Sequence, residues 1–318
     1  MTSALSAPYF HDEAAAYAKL ESLLWPHGPY CPRCGGLDRI TPVKGGRTGL
    51  YRCGPCKRQF TVTVGTIFES SHIKLHLLLQ AAHLMCSSKK GMSAHQIHRV
   101  LGITYKSAWF MCHRLREAMR DGKLIQLGGA GKIVEADETY VGGKEKNKHA
   151  NKRLNAGRGA VGKEPVLSLV ERGGKVRSRH VANVGAKTLR PVLTEQIDKA
   201  SRLMTDDSAV YPAAGREFAE HASVNHSIGE YVRGDAHTNT VEGYFSIFKR
   251  GIIGTYHHVS PQHLKRYLAE FDFRYNERAA LGVEDQERTE RALRGIIGKR
   301  LTYRSTNAEA PIAHGWKR

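Results

Sequence analysis

Hydrophobic residues in the first third of the chain follow two different patterns. Residues 8–26 repeat apolar side chains about one helical turn apart, which predicts a short amphipathic helix. Residues 27–68 lack this period, are rich in Gly and Cys, and end in the β-prone run Phe60-Thr61-Val62-Thr63-Val64. Helical periodicity returns over residues 72–120. The pattern therefore predicts a helix, a small β-rich module and then a helical region.

The pattern changes again from Lys132 onwards, where short β-prone runs replace the helical repeats. These runs cover residues 133–136, 166–170, 176–184 and 202–205. A helix is expected at about 186–199, and longer helical patterns follow over about 239–250 and 260–280. A charged tail comes after them. Strands that alternate with helices in this way predict an α+β chain of several domains.

Charge and composition indicate the class of partner. Lys and Arg number 49 against 30 for Asp and Glu, which gives a formal net charge of +19. Such an excess attracts polyanions and supports binding to DNA or RNA. The sequence has no apolar run of membrane-spanning length, and its start, with His11-Asp12-Glu13, is unlike a signal peptide. We therefore expect a cytoplasmic, nucleoid-associated protein that has no membrane partner. Its cysteines are expected to be reduced or bound to metal.

Four cysteines form two matched pairs near the beginning of the chain. Cys31-Pro32-Arg33-Cys34 and Cys53-Gly54-Pro55-Cys56 are both C-x2-C knuckles, and residues 35–52 separate them. A single C-x2-C motif is compatible with redox chemistry, but a matched pair at this separation is typical of a zinc ribbon. The spacing predicts a structural zinc ion held by Cys31, Cys34, Cys53 and Cys56.

Two short helices follow the cysteine-rich module. Ser93 and Thr104 are suitable N-caps, and Gly102 supplies the break between the two helices. The second helix has an apolar stripe and a face that is polar and basic. The stripe contains Ala108, Cys112, Leu115 and Met119, and the polar face contains Tyr105, Lys106, Ser107, His113 and Arg114. This arrangement fits either a helical hairpin that only packs or a DNA-reading helix-turn-helix. The net charge favours the second, with Lys106 and Arg114 contacting DNA.

A basic segment lies between the first two β-prone runs of the second half. Residues 142–163 contain Lys and Arg at seven positions but a single acid, Glu145, and no apolar period. The segment is predicted to be a mobile loop. It is either an ordinary solvated loop or a segment that contacts the DNA backbone. In the second case, Lys148 and Lys152 are the candidate contacts.

Acidic residues stand where β-prone runs end and where a helix begins. Asp137 follows the first run, Asp206 and Asp207 follow the fourth, and Glu242 lies near the start of the helix expected over 239–250. Hard divalent cations bind oxygen ligands, and phosphodiester chemistry with two metal ions needs several carboxylates at one point. Each of these acids could equally be a cap or an ion-pair partner, so the spacing alone leaves both interpretations open.

Several motifs together resemble the ISXO-type insertion-sequence transposases. The runs are Asp137-Glu138-Thr139-Tyr140, Thr205-Asp206, His237-Thr238-Asn239-Thr240-Val241-Glu242, Lys249-Arg250-Gly251, Gly254-Thr255-Tyr256-His257 and Phe273-Arg274-Tyr275-Asn276. These transposases also carry an N-terminal zinc ribbon, so the resemblance covers nearly the whole chain. It implies an RNase H-like α/β catalytic domain with a mixed sheet and a DDE-type triad. It also implies magnesium or manganese as the catalytic metal.

The resemblance assigns the triad residue by residue. Asp137 would be the first acid, Asp206 the second and Glu242 the third, and all three would be metal ligands. Two neighbours remain alternatives. Asp207 is adjacent to Asp206, and some relatives use Asn at the third position, which makes Asn239 a weaker candidate for it.

The resemblance also implies that Lys249 is the basic residue that follows the third acid in these transposases. Seven residues separate it from Glu242, and seven helical steps of about 100° return within roughly 20° of the starting direction. The two side chains should therefore share a helix face, so that Glu242 binds metal while Lys249 and Arg250 contact DNA. His237 is a further candidate for assistance in the active site.

The predicted organisation contains five segments. They are an N-terminal helix (1–26), a zinc ribbon (27–68), a helix-turn-helix region (72–125), an RNase H-like DDE transposase domain (130–285) and a charged C-terminal tail (286–318). We expect a homo-oligomeric DNA transposase that binds terminal inverted repeats and target DNA and catalyses strand cleavage and strand transfer. The alternative is a zinc-ribbon DNA-binding regulator with an inactive RNase H-like domain. The filled triad positions favour the enzyme.

Overall fold

Helices from both ends of the chain form the N-terminal unit. A computed structural model describes residues 3–122, 125–154 and 159–302. The helices of this unit are α1 (Glu13–Leu24), α2 (Leu75–Ser87), α3 (Ala94–Leu101), α4 (Tyr105–Ala118) and α9 (Asp285–Arg294). The carboxylate of Asp12 begins α1 by accepting a hydrogen bond from the Ala15 backbone N–H at 2.8 Å. Part of the predicted charged tail is thus helical, and its Leu293 is buried in the same core as α2. Residues 303–318 lie outside the described residues.

The cysteine-rich module packs directly on these helices. Its strands β1 (Ile40–Pro42), β2 (Tyr51–Cys53) and β3 (Gln59–Phe60) pair antiparallel in chain order. Trp25, which follows α1, makes edge contacts with the rings of Tyr51 and Phe60 at 5.7 and 5.9 Å between centroids. Cys31 and Cys53 are buried in the same hydrophobic core. The cysteine-rich module therefore shares its hydrophobic core with the helices.

The helices α3 and α4 meet at the predicted glycine. Gly102 has φ of +64°, a left-handed conformation that glycine adopts without steric cost. The hydroxyls of Ser93 and Thr104 accept hydrogen bonds from backbone N–H groups of α3 and α4, both at 3.2 Å, which confirms the two predicted N-caps. The assignment of His113 to the polar face of α4 is wrong, because its side chain is fully buried. Helix α8 (Pro261–Asn276) packs on that side of α4 and brings His263 and Tyr267 against the His113 ring.

The second unit is built on a mixed sheet, which has five strands in the described part of the chain. They are β4 (Ile133–Val141), β5 (Glu164–Glu171), β6 (Val176–His180), β7 (Arg202–Asp206) and β8 (Glu220–Val224). Their order across the sheet is β6-β5-β4-β7-β8. β4, β5 and β6 pair antiparallel, whereas β7 runs parallel to both β4 and β8. The strand β8 has no counterpart among the predicted elements.

Helices cover both faces of this sheet. One face packs against α5 (Ala186–Gln196) and α6 (Pro212–Gly215), and the other packs against α7 (Asn239–Gly251) and α8. Because side chains alternate along a strand, successive residues of β4 face these two layers in turn. A short π-helix, Ile252–Tyr256, continues α7. No helix in the described part of the chain is long and apolar enough to cross a membrane.

A buried ionic cluster joins the two units. On α8, Glu270 accepts a hydrogen bond from Arg116 Nε of α4 at 2.6 Å, and the hydroxyl of Tyr256 donates to it at 2.5 Å. Arg274, one turn further along α8, also pairs with Glu270. Burial would raise the pKa of Glu270, but the two guanidinium groups outweigh it and lower the pKa to about 2. The carboxylate is therefore ionised and fully paired in the core.

Candidate active site

Two of the predicted acids lie side by side on neighbouring strands. The parallel register pairs Ile133 with Arg202 and Glu135 with Met204. Continued along both strands, it sets Asp137 opposite Asp206. Residues paired in this way project from the same face of a sheet, and α7 covers that face and carries Glu242. Sheet pairing and helix packing together thus bring acids from three separate segments to one place.

The three acids line a cleft of about 410 Å³. The side chains around it come from β4, β7, α7 and the segment that leads into α7. They are Asp137, Glu138, Asp206, His226, Thr238, Glu242, Phe245, Ser246 and Lys249. Lys249 shares the cleft-facing side of α7 with Glu242, as the helical spacing predicts. A larger cavity of about 640 Å³ lies elsewhere, between the cysteine-rich module and helices α1 and α2, and contains none of these acids.

The alternatives to Asp206 and Glu242 lie outside this set of residues. Asp207 points away from the cleft, where one of its carboxylate oxygens accepts a hydrogen bond from the Asn225 amide at 2.8 Å. Asn239 is the first residue of α7 and is exposed to solvent. His237 is also not part of the cleft lining; its Nδ1 atom lies 3.3 Å from Glu135.

The electrostatics of the cleft disfavour ionised carboxyl groups. Burial, together with repulsion from Glu138, Asp206 and Glu242, raises the pKa of Asp137 to about 7. Burial and the charge of Asp206 likewise raise the pKa of Glu138 to about 7, although the Tyr211 hydroxyl donates a hydrogen bond to it at 2.5 Å. Burial also raises the pKa of Asp206. The acids therefore repel one another, and a bound cation would relieve that repulsion.

Two ionisable residues of the cleft, Glu138 and His226, are not among the candidates that the sequence predicts. In the sequence, only its position directly after Asp137 indicates that Glu138 belongs to the site. His226 lies in the segment after β8, and its Nε2 atom is 3.7 Å from Glu242. Hydrophobic periodicity gives no information about such a segment. The same Nε2 atom is 3.3 Å from the hydroxyl of Thr238, which in turn donates to Glu242 at 3.0 Å.

The four cysteines of the two knuckles come together as a separate cluster. All four sulfur atoms lie within 4.8 Å of one another, with 3.7 Å between Cys31 and Cys56 and 3.6 Å between Cys34 and Cys53. Zinc bound tetrahedrally by thiolates at about 2.3 Å requires sulfur atoms about 3.8 Å apart. The cluster therefore fits a structural zinc ion.

The remaining candidates for DNA contacts differ in exposure. Lys106 is exposed near the start of α4, and Arg250 is exposed on α7, where it donates hydrogen bonds to Ser246. Arg114 is half-buried, and its guanidinium lies over the Phe110 ring at 4.7 Å.

The basic segment after β4 contains short turns and an internal ion pair. Lys148 Nζ lies 2.6 Å from Glu145, the only acid of the segment. The same glutamate accepts a hydrogen bond from the Leu154 backbone N–H. The side chain of Lys152 lies outside the described residues. Glu145 therefore holds the described part of this segment together and partly offsets its positive charge.

The sequence matches two known domain families. The ISXO2-like transposase domain matches residues 126–276, and the transposase zinc-ribbon domain matches residues 11–59. The first range contains every acid of the cleft, and the second contains all four clustered cysteines. A curated protein of Halobacterium salinarum is 30% identical over 283 residues, which cover 83% of this chain and 91% of the relative. This chain belongs to the ISXO2-like transposase family.

The relative is described as an uncharacterized protein in the transposable element ISH50. It covers both units of this ISXO2-like transposase rather than one domain alone. The resemblance to insertion-sequence transposases with a zinc ribbon is therefore confirmed.

Proposed function

We propose that the protein is the DNA transposase of an insertion sequence and that its cleft cuts DNA strands and joins them to a new site. The observation that carries the proposal is the convergence of Asp137, Asp206 and Glu242 in one cleft. In the proposed site they are the triad, and the exposed Lys249 at the rim engages the cleaved DNA end.

The cleft contains the donor type that magnesium and manganese prefer, which is carboxylate oxygen. A divalent cation held by Asp137, Asp206 and Glu242 would activate the attacking water or 3′-hydroxyl and stabilise the leaving oxygen. Without a cation, the ionised acids would repel the phosphodiester. Lys249 offsets part of that repulsion and stabilises the backbone of the bound strand.

The same proposal gives the other parts of the chain their roles. We take the mixed sheet as an RNase H-like fold, because antiparallel β4, β5 and β6 are followed by parallel β7 and β8. We take α3 and α4 as a helix-turn-helix, supported by the Gly102 turn and by exposed Lys106 at the leading end of α4. Together with the zinc ribbon it would recognise the terminal inverted repeats. A homo-oligomer would pair two element ends.

The test is cleavage and strand transfer of a labelled duplex that carries an element end, with magnesium or manganese. Asp137→Asn, Asp206→Asn and Glu242→Gln keep the side-chain shape but remove a charge, so cleavage should fall by orders of magnitude. Affinity for DNA should hold or rise, because a negative charge that faces phosphate disappears. Asp207→Asn and Asn239→Ala are the matched controls and should cleave almost normally.

Each contrary result has a specific meaning. An inactive Asp207 variant beside an active Asp206 variant would move the second ligand by one residue. An active Glu242→Gln variant beside an inactive Asn239→Ala variant would move the third ligand to Asn239. A wild-type protein that binds element ends but never cuts them would support the regulator and contradict the enzyme.

A further inference from the structure

Glu135 lies on β4 two residues before Asp137 and is fully buried. One of its carboxylate oxygens accepts hydrogen bonds from the backbone N–H groups of Thr240 and Val241, at 2.8 and 2.9 Å. The other accepts from the Thr240 hydroxyl at 2.8 Å and from Arg172 Nε at 2.6 Å. This carboxylate of the central strand therefore caps the N-terminus of α7, where free backbone N–H groups and the helix dipole favour a negative charge.

Arg172, directly after β5, holds the segment that enters the same helix. Its Nη1 atom donates to the carbonyl oxygen of Asp235 at 2.8 Å, and its Nη2 atom donates to that of His237 at 2.9 Å. The guanidinium thus makes three hydrogen bonds in fixed directions, to Glu135 and to two backbone groups. Together the two side chains hold both the lead-in segment and the first turn of α7 against the sheet.

The residue at the usual capping position has a different partner. Thr238 is the N-cap of α7, but among the described residues its side chain makes no capping hydrogen bond to the helix backbone. Its hydroxyl donates instead to the carboxylate of Glu242 at 3.0 Å. Because Glu135 caps the helix from the strand, the Thr238 hydroxyl is available to orient Glu242.

We propose that Glu135 and Arg172 are positioning residues that fix the distance between Asp137 on β4 and Glu242 on α7. The inference rests on the proposed function, in which those two acids bind one metal site. Asp137 is two residues from Glu135 on the same strand face, and Glu242 is one residue beyond Val241. The link between the two ligands is therefore short and passes through a buried, fully hydrogen-bonded carboxylate.

Capping α7 alone would not require a buried ion pair between Glu135 and Arg172. A buried ion pair contributes little net stability compared with well-packed apolar residues, because both charges must leave water. What it does provide is a defined geometry, since each hydrogen bond fixes a direction. Replacement of a residue that orients a metal ligand typically lowers metal affinity or activity by about 10- to 100-fold.

The test compares Glu135→Gln with Glu270→Gln in the full-length protein. Glu270 is the matched control, because it is equally buried and also paired with arginine but lies on α8 away from the cleft. Binding of Mn²⁺ alone is measured by electron paramagnetic resonance, and unfolding is followed by circular dichroism. We expect Glu135→Gln to weaken Mn²⁺ binding by about 10-fold or more. The control should lose stability without a change in affinity.

Arg172→Lys keeps the charge but not the three directed hydrogen bonds, and it is the second variant in case Glu135→Gln does not fold. It should also weaken Mn²⁺ binding and shift the metal dependence of cleavage to higher concentration. Wild-type affinity in both variants would overturn the inference, as would an equal loss in the Glu270 control. A wild-type protein that binds Mn²⁺ but does not cut DNA would overturn the proposed function alone, because the affinities still test the positioning role.

Discussion

Replacing Asp137 by asparagine should stabilise the magnesium-free protein at high pH, although the same change should abolish cleavage. The pKa of Asp137 rises from 3.8 to about 7 in the folded protein, mainly because the carboxyl group is buried. The unfolded chain releases this proton near pH 4, whereas the folded chain keeps it until about pH 7. Folding therefore loses stability as the pH rises through that window.

The magnitude follows from the size of the shift. About three pKa units at about 1.4 kcal/mol each give a penalty of roughly 4 kcal/mol at pH 8, and the same relation leaves about 1 kcal/mol at pH 4.5. Asparagine carries no charge at either pH, and its carbonyl oxygen can still accept the hydrogen bond that the Glu138 backbone N–H donates at 2.7 Å. The variant should thus gain up to about 4 kcal/mol at pH 8 and much less at pH 4.5.

The assay is urea unfolding of both proteins at the two pH values, in magnesium-free buffer without chelator, so that any zinc on the four cysteines is retained. Asp207→Asn is the control, because that carboxyl group is exposed outside the cleft, and it should change stability little at either pH. Addition of Mg²⁺ should narrow the gap by stabilising the wild type. A gain for Asp137→Asn that is absent at pH 8, or equally large at pH 4.5, would refute the reasoning.

Two further predictions concern the cysteine-rich module and the candidate DNA contacts. Cys53→Ser should abolish zinc binding and unfold the cysteine-rich module, because its short strands have little core of their own. The sheet that carries the cleft should stay folded. Metal analysis measures the loss of zinc, and proteolysis shows which part of the chain unfolds. Lys106→Ala should reduce discrimination between element ends and random duplex, whereas Lys148→Ala should weaken both slightly, because Glu145 already pairs with it. Binding titrations over a range of salt concentrations measure this, and an equal loss for both duplexes in the Lys106 variant would count against the helix-turn-helix.

The sequence was informative wherever a local rule determines structure. The paired knuckles predicted the cysteine cluster, because two C-x2-C turns at that separation have few other uses. The caps at Ser93 and Thr104 and the break at Gly102 followed from short-range hydrogen bonding and backbone sterics. Helix α7 was predicted over 239–250 and spans Asn239–Gly251, since its apolar positions repeat at helical spacing.

What the sequence did not predict depends on distant contacts. Strand β8 contains Glu220 and His221 and lies at the edge of the sheet, so it lacks the continuous apolar run of a central strand. His113 is buried only because α8, far away in the sequence, packs on α4. The sequence alone does not decide between Asp206 and Asp207 as the second acid. The register of β7 against β4 sets Asp206, the last residue of the strand, opposite Asp137, and Asp207 lies beyond the strand.

The buried acids in the described part of the chain differ in their surroundings, and the difference supports the cleft as the candidate site. Glu135 and Glu270 are completely buried, and each is paired with arginine, so their charges are satisfied by the protein itself. Asp137 and Glu138 are mostly buried, yet no ion pair to a described Lys or Arg accompanies either of them, and their pKa values rise to about 7. The chain has a net charge of +19, yet even Lys249, which lines the same cleft, forms no ion pair with either of them. Asp272 on α8 also lacks such an ion pair, but Ser178 and Tyr244 donate three hydrogen bonds to its carboxylate. Two acids left unpaired side by side in such a basic protein support the proposal that a metal ion neutralises them, and this makes the cleft the best candidate for the site of catalysis.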